Sequence, residues 1–369
     1  MFGIKSVDGK RKPDILIITF TFIIIAFGLV MLASASSDLA KTKFGDSYYF
    51  LVHQILYGLI PGLVGFLFAS NFYYLNYKKA AVPLFIFSIV LLLLIFTPLK
   101  VSSGGADRWL QLGPLVFQPS ELLKIFFVIY LAAWLSGDEK RKNTFWGGYI
   151  PFLAICGLVA FLLLIQPSTS AVAILMAAAL AIYFGSGARI SYIIGTIVLG
   201  LALLLAVSYA TPYRWQRIMS FIDPNQNLQS ASYHINQSLI AVGSGNIFGV
   251  GYGESVTKIH YLPEPIGDSI FAVIAEELGF IGSSALMLCF LVLVTRIFIL
   301  ARKARDHFGQ LLLVGFGTII GLQAFINMGA ISGLLPLTGM TLPFISYGGT
   351  ALAVFMYISG IIVNISKHN

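Results

Sequence analysis

Charge is what this sequence has least of. Only 10% of its 369 residues are charged, and only 15 are acidic, where a soluble domain carries about a quarter. So few charges cannot coat a soluble all-helical protein whose residues are 58% hydrophobic. Cysteine is nearly missing too. Cys156 and Cys289 both sit in apolar runs, which excludes a disulfide framework and a thiolate metal cluster. There is no HExxH and no CxxC, so no protein-only zinc site is offered. The glycine cluster GSGNIFGVGYGES, residues 243–255, contains no GxGxxG and follows no strand, which removes a nucleotide-binding reading and leaves re-entrant turns or close helix contacts. The net charge of +8 does not argue for nucleic acid, because lysine and arginine in such a chain mark cytoplasmic loops.

What the chain has is long apolar runs. They predict an all-α polytopic membrane protein with ten transmembrane helices, at about 15–34, 50–70, 80–98, 119–136, 148–165, 168–186, 190–210, 269–298, 310–331 and 342–364. Gln166-Pro167 alone divides the fifth from the sixth, as a tight turn or a kink. The first run ends in Ala33-Ser34-Ala35, which looks like a signal-peptidase site, but the 18 residues from Ile15 to Leu32 exceed a usual signal core of about 7–15. It reads as a retained span. With the N-terminus in the cytoplasm, fourteen lysines and arginines fall inside and seven outside, so both termini are placed in the cytoplasm. One outside loop, 211–268, is far longer than the rest and rich in aromatics and glycine. It is expected to fold back on the membrane surface. No repeat and no second domain is visible, so residues 1–369 read as a single membrane domain.

The acidic residues are not scattered. Glu264, Asp268, Glu276 and Glu277 crowd into YLPEPIGDSIFAVIAEELGF, where the long loop enters the eighth span. Asp268 has two readings: a helix N-cap, worth about 1 kcal/mol, or a general base at the membrane surface. Glu276 and Glu277 lie further along, where a charge is costly and faces protein or a water-filled cavity. At most one of them shares the face of Asp268, and the other is expected to pair with a basic or amide group nearby. In GGADRWLQLGPLVFQPSELLK, Pro119 suits a first helical turn and Glu121 and Lys124 share a face, either as an ion pair or as a cavity wall. Arg108 and Trp109 are interfacial anchors or contacts for a phosphate or sugar. In YRWQRIMSFIDP, Arg214 and Arg217 are three apart and shaped for phosphate, or else snorkelling anchors. Lys258 and His260 follow the glycine cluster; a lone histidine is a weak signal. LPLTGMTLPFISYGGTA, 335–351, breaks two spans with proline and glycine, which suggests a cavity near the outer leaflet.

Together these segments, with MLASASS at 31–37 and NQSLIAVGSGNIFGVGYGES at 236–255, resemble the SEDS family of bacterial shape, elongation, division and sporulation proteins, in the family's order over nearly the whole chain. The wording of TGMTLPFISYGGT is nearer the division branch, FtsW, than the elongation branch, RodA. The resemblance implies a ten-span glycosyltransferase that polymerises lipid II into peptidoglycan at the outer face of the cytoplasmic membrane. It places the essential acid at Asp268, and substrate contacts at Arg108, Trp109, Glu121 and Lys124. Arg214, Arg217, Lys258, Glu264 and Glu276 complete the candidate substrate-binding set. The resemblance further implies a Mg²⁺ or Mn²⁺ ion with no assigned ligands, and as partners a class B penicillin-binding protein and other division proteins. Two departures stand out: the family's HTDF is Ile266-Gly267-Asp268-Ser269 here, and its QPD is Gln166-Pro167-Ser168. The competing classes are a lipid II flippase, which would also use buried charges and broken helices, and a non-catalytic scaffold.

Overall fold

In the computed structural model the described residues are 12–103, 106–113, 115–137, 143–166, 168–222 and 231–369. Lys5, Lys10, Arg11, Lys140, Arg141, Lys142 and Pro167, and the side chains of Tyr213 and His260, lie outside them. Ten helical segments stand where ten apolar runs were read. The first is α1 (Ile15–Phe44), capped by Asp14, which accepts from the Ile17 N–H, and closed by Gly45 in the left-handed region. It runs unbroken through Ala33-Ser34-Ala35. The second is one rod: α2 (Tyr49–Gln54) and α3 (Ile60–Asn71), joined by a wider turn at Ile55–Leu59. Then come α4 (Leu75–Leu94), α5 (Pro119–Leu135), α6 (Ile150–Ile165, continuous with a wider turn at Phe145–Tyr149 into one rod), α7 (Thr169–Gly185) and α8 (Ile190–Tyr209). The last three spans are α12 (Ile270–Arg302), α13 (His307–Ile331) and α14 (Gly349–His368). Eight of the ten rods are 20–33 residues long and apolar enough to cross a bilayer. The other two, α5 and α7, have 17 residues each.

Packing sorts the spans by depth. In α13 and α14, 67% and 72% of the apolar stretch is buried inside the protein, against 0% for α8. The centre of the bundle is therefore α13 and α14 with α5, α7 and the start of α12 around them, while α8 lies at the edge, against α7 and the Tyr149 ring. Cys156 is buried in α6, and Cys289 is half-buried in α12.

Three features differ from the sequence reading. The stretch before α5, read as loop, carries a small antiparallel sheet of three strands, β1 (Lys100–Ser103), β2 (Ala106–Leu112) and β3 (Leu115–Phe117), in the order β1-β2-β3. Its alternation is too short to register beside apolar runs of span length. The long loop carries α9 (Pro212–Ile222), α10 (Ala231–Ser244) and the single turn α11 (Thr257–His260). And α12 is broken at Gly279, whose φ of 65° and ψ of −162° are not helical. The glycine cluster causes the break by laying backbone directly on backbone. The Val250 and Gly251 N–H groups donate to the Glu276 and Glu277 carbonyls, and the Phe280 and Ile281 N–H groups donate to Asn246 and Ile247. A Cβ on Gly245 would stand 1.9 Å from the Ala275 carbonyl oxygen, and one on Gly249 would stand 2.1 Å from that of Glu277.

Candidate active site

A cavity of about 1560 Å³ opens between α2–α3, α5, α14 and the loops 262–268 and 339–350. Much of its wall is apolar, from Leu56, Ile60, Pro61, Phe126 and Val354. The polar groups on it include Lys43, His53, Glu264, Asp268, Thr341 and Tyr347. An apolar trough ending in a few converging polar groups suits an amphiphile.

Asp268 is held by its backbone. Asn327 of α13 donates to the Asp268 carbonyl at 2.8 Å and to that of Met340 at 2.6 Å. Ser346 donates to the Gly267 carbonyl at 2.7 Å, and the Tyr347 N–H to Ile266 at 2.8 Å. The two loops are thus stitched together across the mouth of the bundle. Helix capping is not the role of Asp268: the cap position of α12 is Ser269, and no side chain caps it. The Asp268 side chain is turned to other use. Its Oδ1 is shut from solvent with no hydrogen-bond partner among the described residues. Its Oδ2 and the Arg217 guanidinium both lie 3.6–3.7 Å from the place where Gly339, at φ +66°, would carry a Cβ. Burial, then the Glu264 carboxylate, push the Asp268 pKa up to about 7, against the opposing pull of Arg217 and Ser269. A carboxyl poised near neutrality in a cavity is suited to taking a proton.

The structure brings some of the other expected residues to this cavity and leaves others away from it. Trp109, on β2, and Glu264 share its wall with Asp268. Glu121 and Lys124 form a buried ion pair at 2.7 Å. Lys124 also donates to Gln323 at 3.0 Å, and Gln323 in turn donates to the Thr341 carbonyl at 3.0 Å. That pair reaches the cavity through Gln323 and Thr341, not by its own surface. Arg108 and Arg214 meet the end of α6, donating to the Gln166 and Leu164 carbonyls at 3.3 and 3.1 Å. Lys258 is paired with Glu277 at 2.7 Å and donates to Ser34 at 3.0 Å, all buried. Glu276 accepts from the Ser255 and Thr257 hydroxyls and from the Val256 N–H. Lys258 and Glu276 therefore brace the loop against α12 and lie outside the cavity wall.

Three residues here stand outside the sequence motifs: His53 and Lys43 on that wall, and His234, whose Nε2 is 2.6 Å from the Ser269 hydroxyl. Tyr347, also on the wall, lies within LPLTGMTLPFISYGGTA. His53, bonded to Tyr347 at 2.9 Å, carried a usable signal: an ionisable side chain inside an apolar run. Asn327 and Gln323 carried a weaker one, two amides one turn apart on one span. As for a metal, no three His, Cys, Asp or Glu side chains converge among the described residues. The donor set does not fit a resident ion held by protein alone. A Mg²⁺ or Mn²⁺ would need ligands beyond those these residues bring together.

The model of the FtsW/RodA/SpoVE cell cycle protein family matches residues 14–369. The chain belongs to this family. Its FtsW/RodA/SpoVE relatives include a probable peptidoglycan glycosyltransferase FtsW of Geobacter sp. (strain M18), 39% identical over 98% of both chains. Stage V sporulation protein E of Bacillus subtilis (strain 168) is 35% identical over 98% of both. Among solved structures, a chain from a peptidoglycan synthase complex described as coordinating polymerization and crosslinking superposes with a TM-score of 0.81. It is 27% identical and covers 96% of this chain and 98% of its own. The rod shape determining protein RodA of Thermus thermophilus superposes with a TM-score of 0.71 at 26% identity, over 96% of each chain. The FtsW/RodA/SpoVE match spans every element that builds the cavity, from α1 through α14.

Proposed function

We propose that the chain is a peptidoglycan glycosyltransferase that polymerises lipid II, with Asp268 as its general base. The observation that carries this is the Asp268 carboxyl, held by its loop on the wall of a large, mainly apolar trough and poised near neutrality. The polyprenyl chain lies along the Ile60 and Phe126 walls, and the disaccharide reaches the Asp268 loop. Ionised Asp268 takes the proton of the acceptor's 4-hydroxyl. That oxygen attacks the anomeric carbon of the donor from the side opposite the pyrophosphate, so an α-linked donor gives a β-1,4 bond. The pyrophosphate departs with the bonding electrons and needs charge neutralisation, not a proton. Arg217, beside Asp268, and Lys43, on the cavity wall, supply positive charge there.

The polar end of the trough faces the outside of the cytoplasmic membrane, both termini face the cytoplasm, and the role is in cell division. The partner is a class B penicillin-binding protein that cross-links the strands this chain makes; the solved complex of polymerization and crosslinking supports that pairing. The test is strand synthesis from lipid II by the purified chain, alone and with such a partner. Asp268→Asn should lower the rate by about 10² or more and leave thermal unfolding in detergent unchanged. Strand synthesis at the wild-type rate by Asp268→Asn would rule out the base.

A further inference from the structure

A base with one buried face must also discharge. Each turnover loads one proton onto Asp268, whose Oδ1 is shut from solvent, and substrate or product in the trough stands between the carboxyl and bulk water. On another side of Asp268 lies a polar chain that the mechanism above does not use. Ser269 is fully buried. Its hydroxyl belongs to the residue next to Asp268, lowers the Asp268 pKa and stands 2.6 Å from His234 Nε2. His234 is half-buried on α10, which packs on α12 and reaches the surface of the long loop.

We propose that Ser269 and His234 form the outlet through which the proton taken by Asp268 leaves the site. This rests on Asp268 being the base. Protonated Asp268 gives its proton to the Ser269 oxygen as the Ser269 hydroxyl proton passes to His234 Nε2, and the imidazole releases its Nδ1 proton to water. One proton enters and one leaves. Asp268 returns to carboxylate, Ser269 is a hydroxyl throughout, and His234 ends neutral as the other tautomer, which resets by exchange with water. The charged groups bearing on the pair are Arg217 of α9 and Glu264 of the 261–269 loop, while α13 presents the neutral amide of Asn327. Burial and then Arg217 hold the His234 pKa down to about 4, so the ring is neutral at working pH. A neutral ring with one acceptor and one donor nitrogen passes a proton on without storing it. The outlet also explains why the acid can be followed by serine in this chain: the hydroxyl is a link in the path.

The experiment uses the full chain and lipid II, comparing wild type with Asp268→Asn, Ser269→Ala, Ser269→Thr and His234→Gln. Ser269→Ala and His234→Gln should each lower kcat by about tenfold or more with KM unchanged, and Ser269→Thr should keep most of the rate. The double variant should be no slower than the slower single, because the two groups act as one path. Raising the concentration of a small buffer base should speed both single variants and leave wild type unaffected, which a merely structural role would not produce. An inactive wild type, or an active Asp268→Asn, removes the base itself. With those two behaving as expected, wild-type rates in Ser269→Ala and His234→Gln, or losses that add and ignore buffer, overturn the outlet alone. If His234→Gln unfolds at lower temperature than wild type, the Ser269→Ala and Ser269→Thr pair decides.

Discussion

Two carboxylates in this chain show how environment sets a residue's work. Glu276 accepts hydrogen bonds from Ser255, Thr257 and the Val256 N–H, so its lone pairs are spent on structure. Asp268 keeps Oδ1 unspent. Its pKa near 7, raised first by burial and then by Glu264, sets the sign of the pH response. Below that value the carboxyl is protonated and cannot act as a base, so strand synthesis should rise about tenfold per pH unit up to neutrality and level off above. Initial rates measured across that range check it; a flat profile through neutrality would assign the proton transfer elsewhere. Removing the like charge should move the limb: Glu264→Gln should shift it to lower pH. Asp268 was legible in the sequence because an acid at the mouth of an apolar span is conspicuous. His234 was not, because its partner Ser269 is 35 residues away and only the packing of α10 on α12 brings them together.

At the scale of elements, the break in α12 is where the long loop is fixed to the bundle. Lys258 and Glu277 hold the loop to the helix just before Gly279 as a buried pair. Removing one partner strands a charge, so Lys258→Met should cost about 3–5 kcal/mol, while Lys258→Met with Glu277→Leu should recover most of it. Thermal unfolding of the three variants in detergent checks this. Gly249→Ala should cost more than about 2 kcal/mol, since φ there is +83° and the new methyl would stand 2.1 Å from a carbonyl oxygen. The helices themselves were readable from apolar run length, down to the short partition at Gln166. The broken helix and the β1–β3 sheet were not. Both are fixed by contacts between segments far apart in sequence, and neither leaves a periodic trace long enough to compete with the spans around it.

Taken whole, the molecule is a bundle whose best-buried spans, α13 and α14, anchor a trough on one flank. Ile60 is 48% exposed on the trough wall, so Ile60→Trp has room to stand without disturbing the core. It should raise KM for lipid II by about tenfold, with thermal unfolding unchanged; an unaltered KM would move the lipid tail off that wall. The sequence named the family's surface of charges, but most of those charges, Glu121, Lys124, Lys258, Glu276 and the arginines at the end of α6, turned out to brace the walls. Type and spacing alone cannot tell a group that lines a cavity from one that props it. The placement of the two thiols has a practical outcome. With Cys156 enclosed and Cys289 half-enclosed among apolar neighbours, a membrane-impermeant maleimide finds little native target. A cysteine put in for exposed Glu254 should therefore tag on intact cells, and one put in for exposed Lys303 only after the envelope is opened. The reverse pattern would turn the whole bundle over.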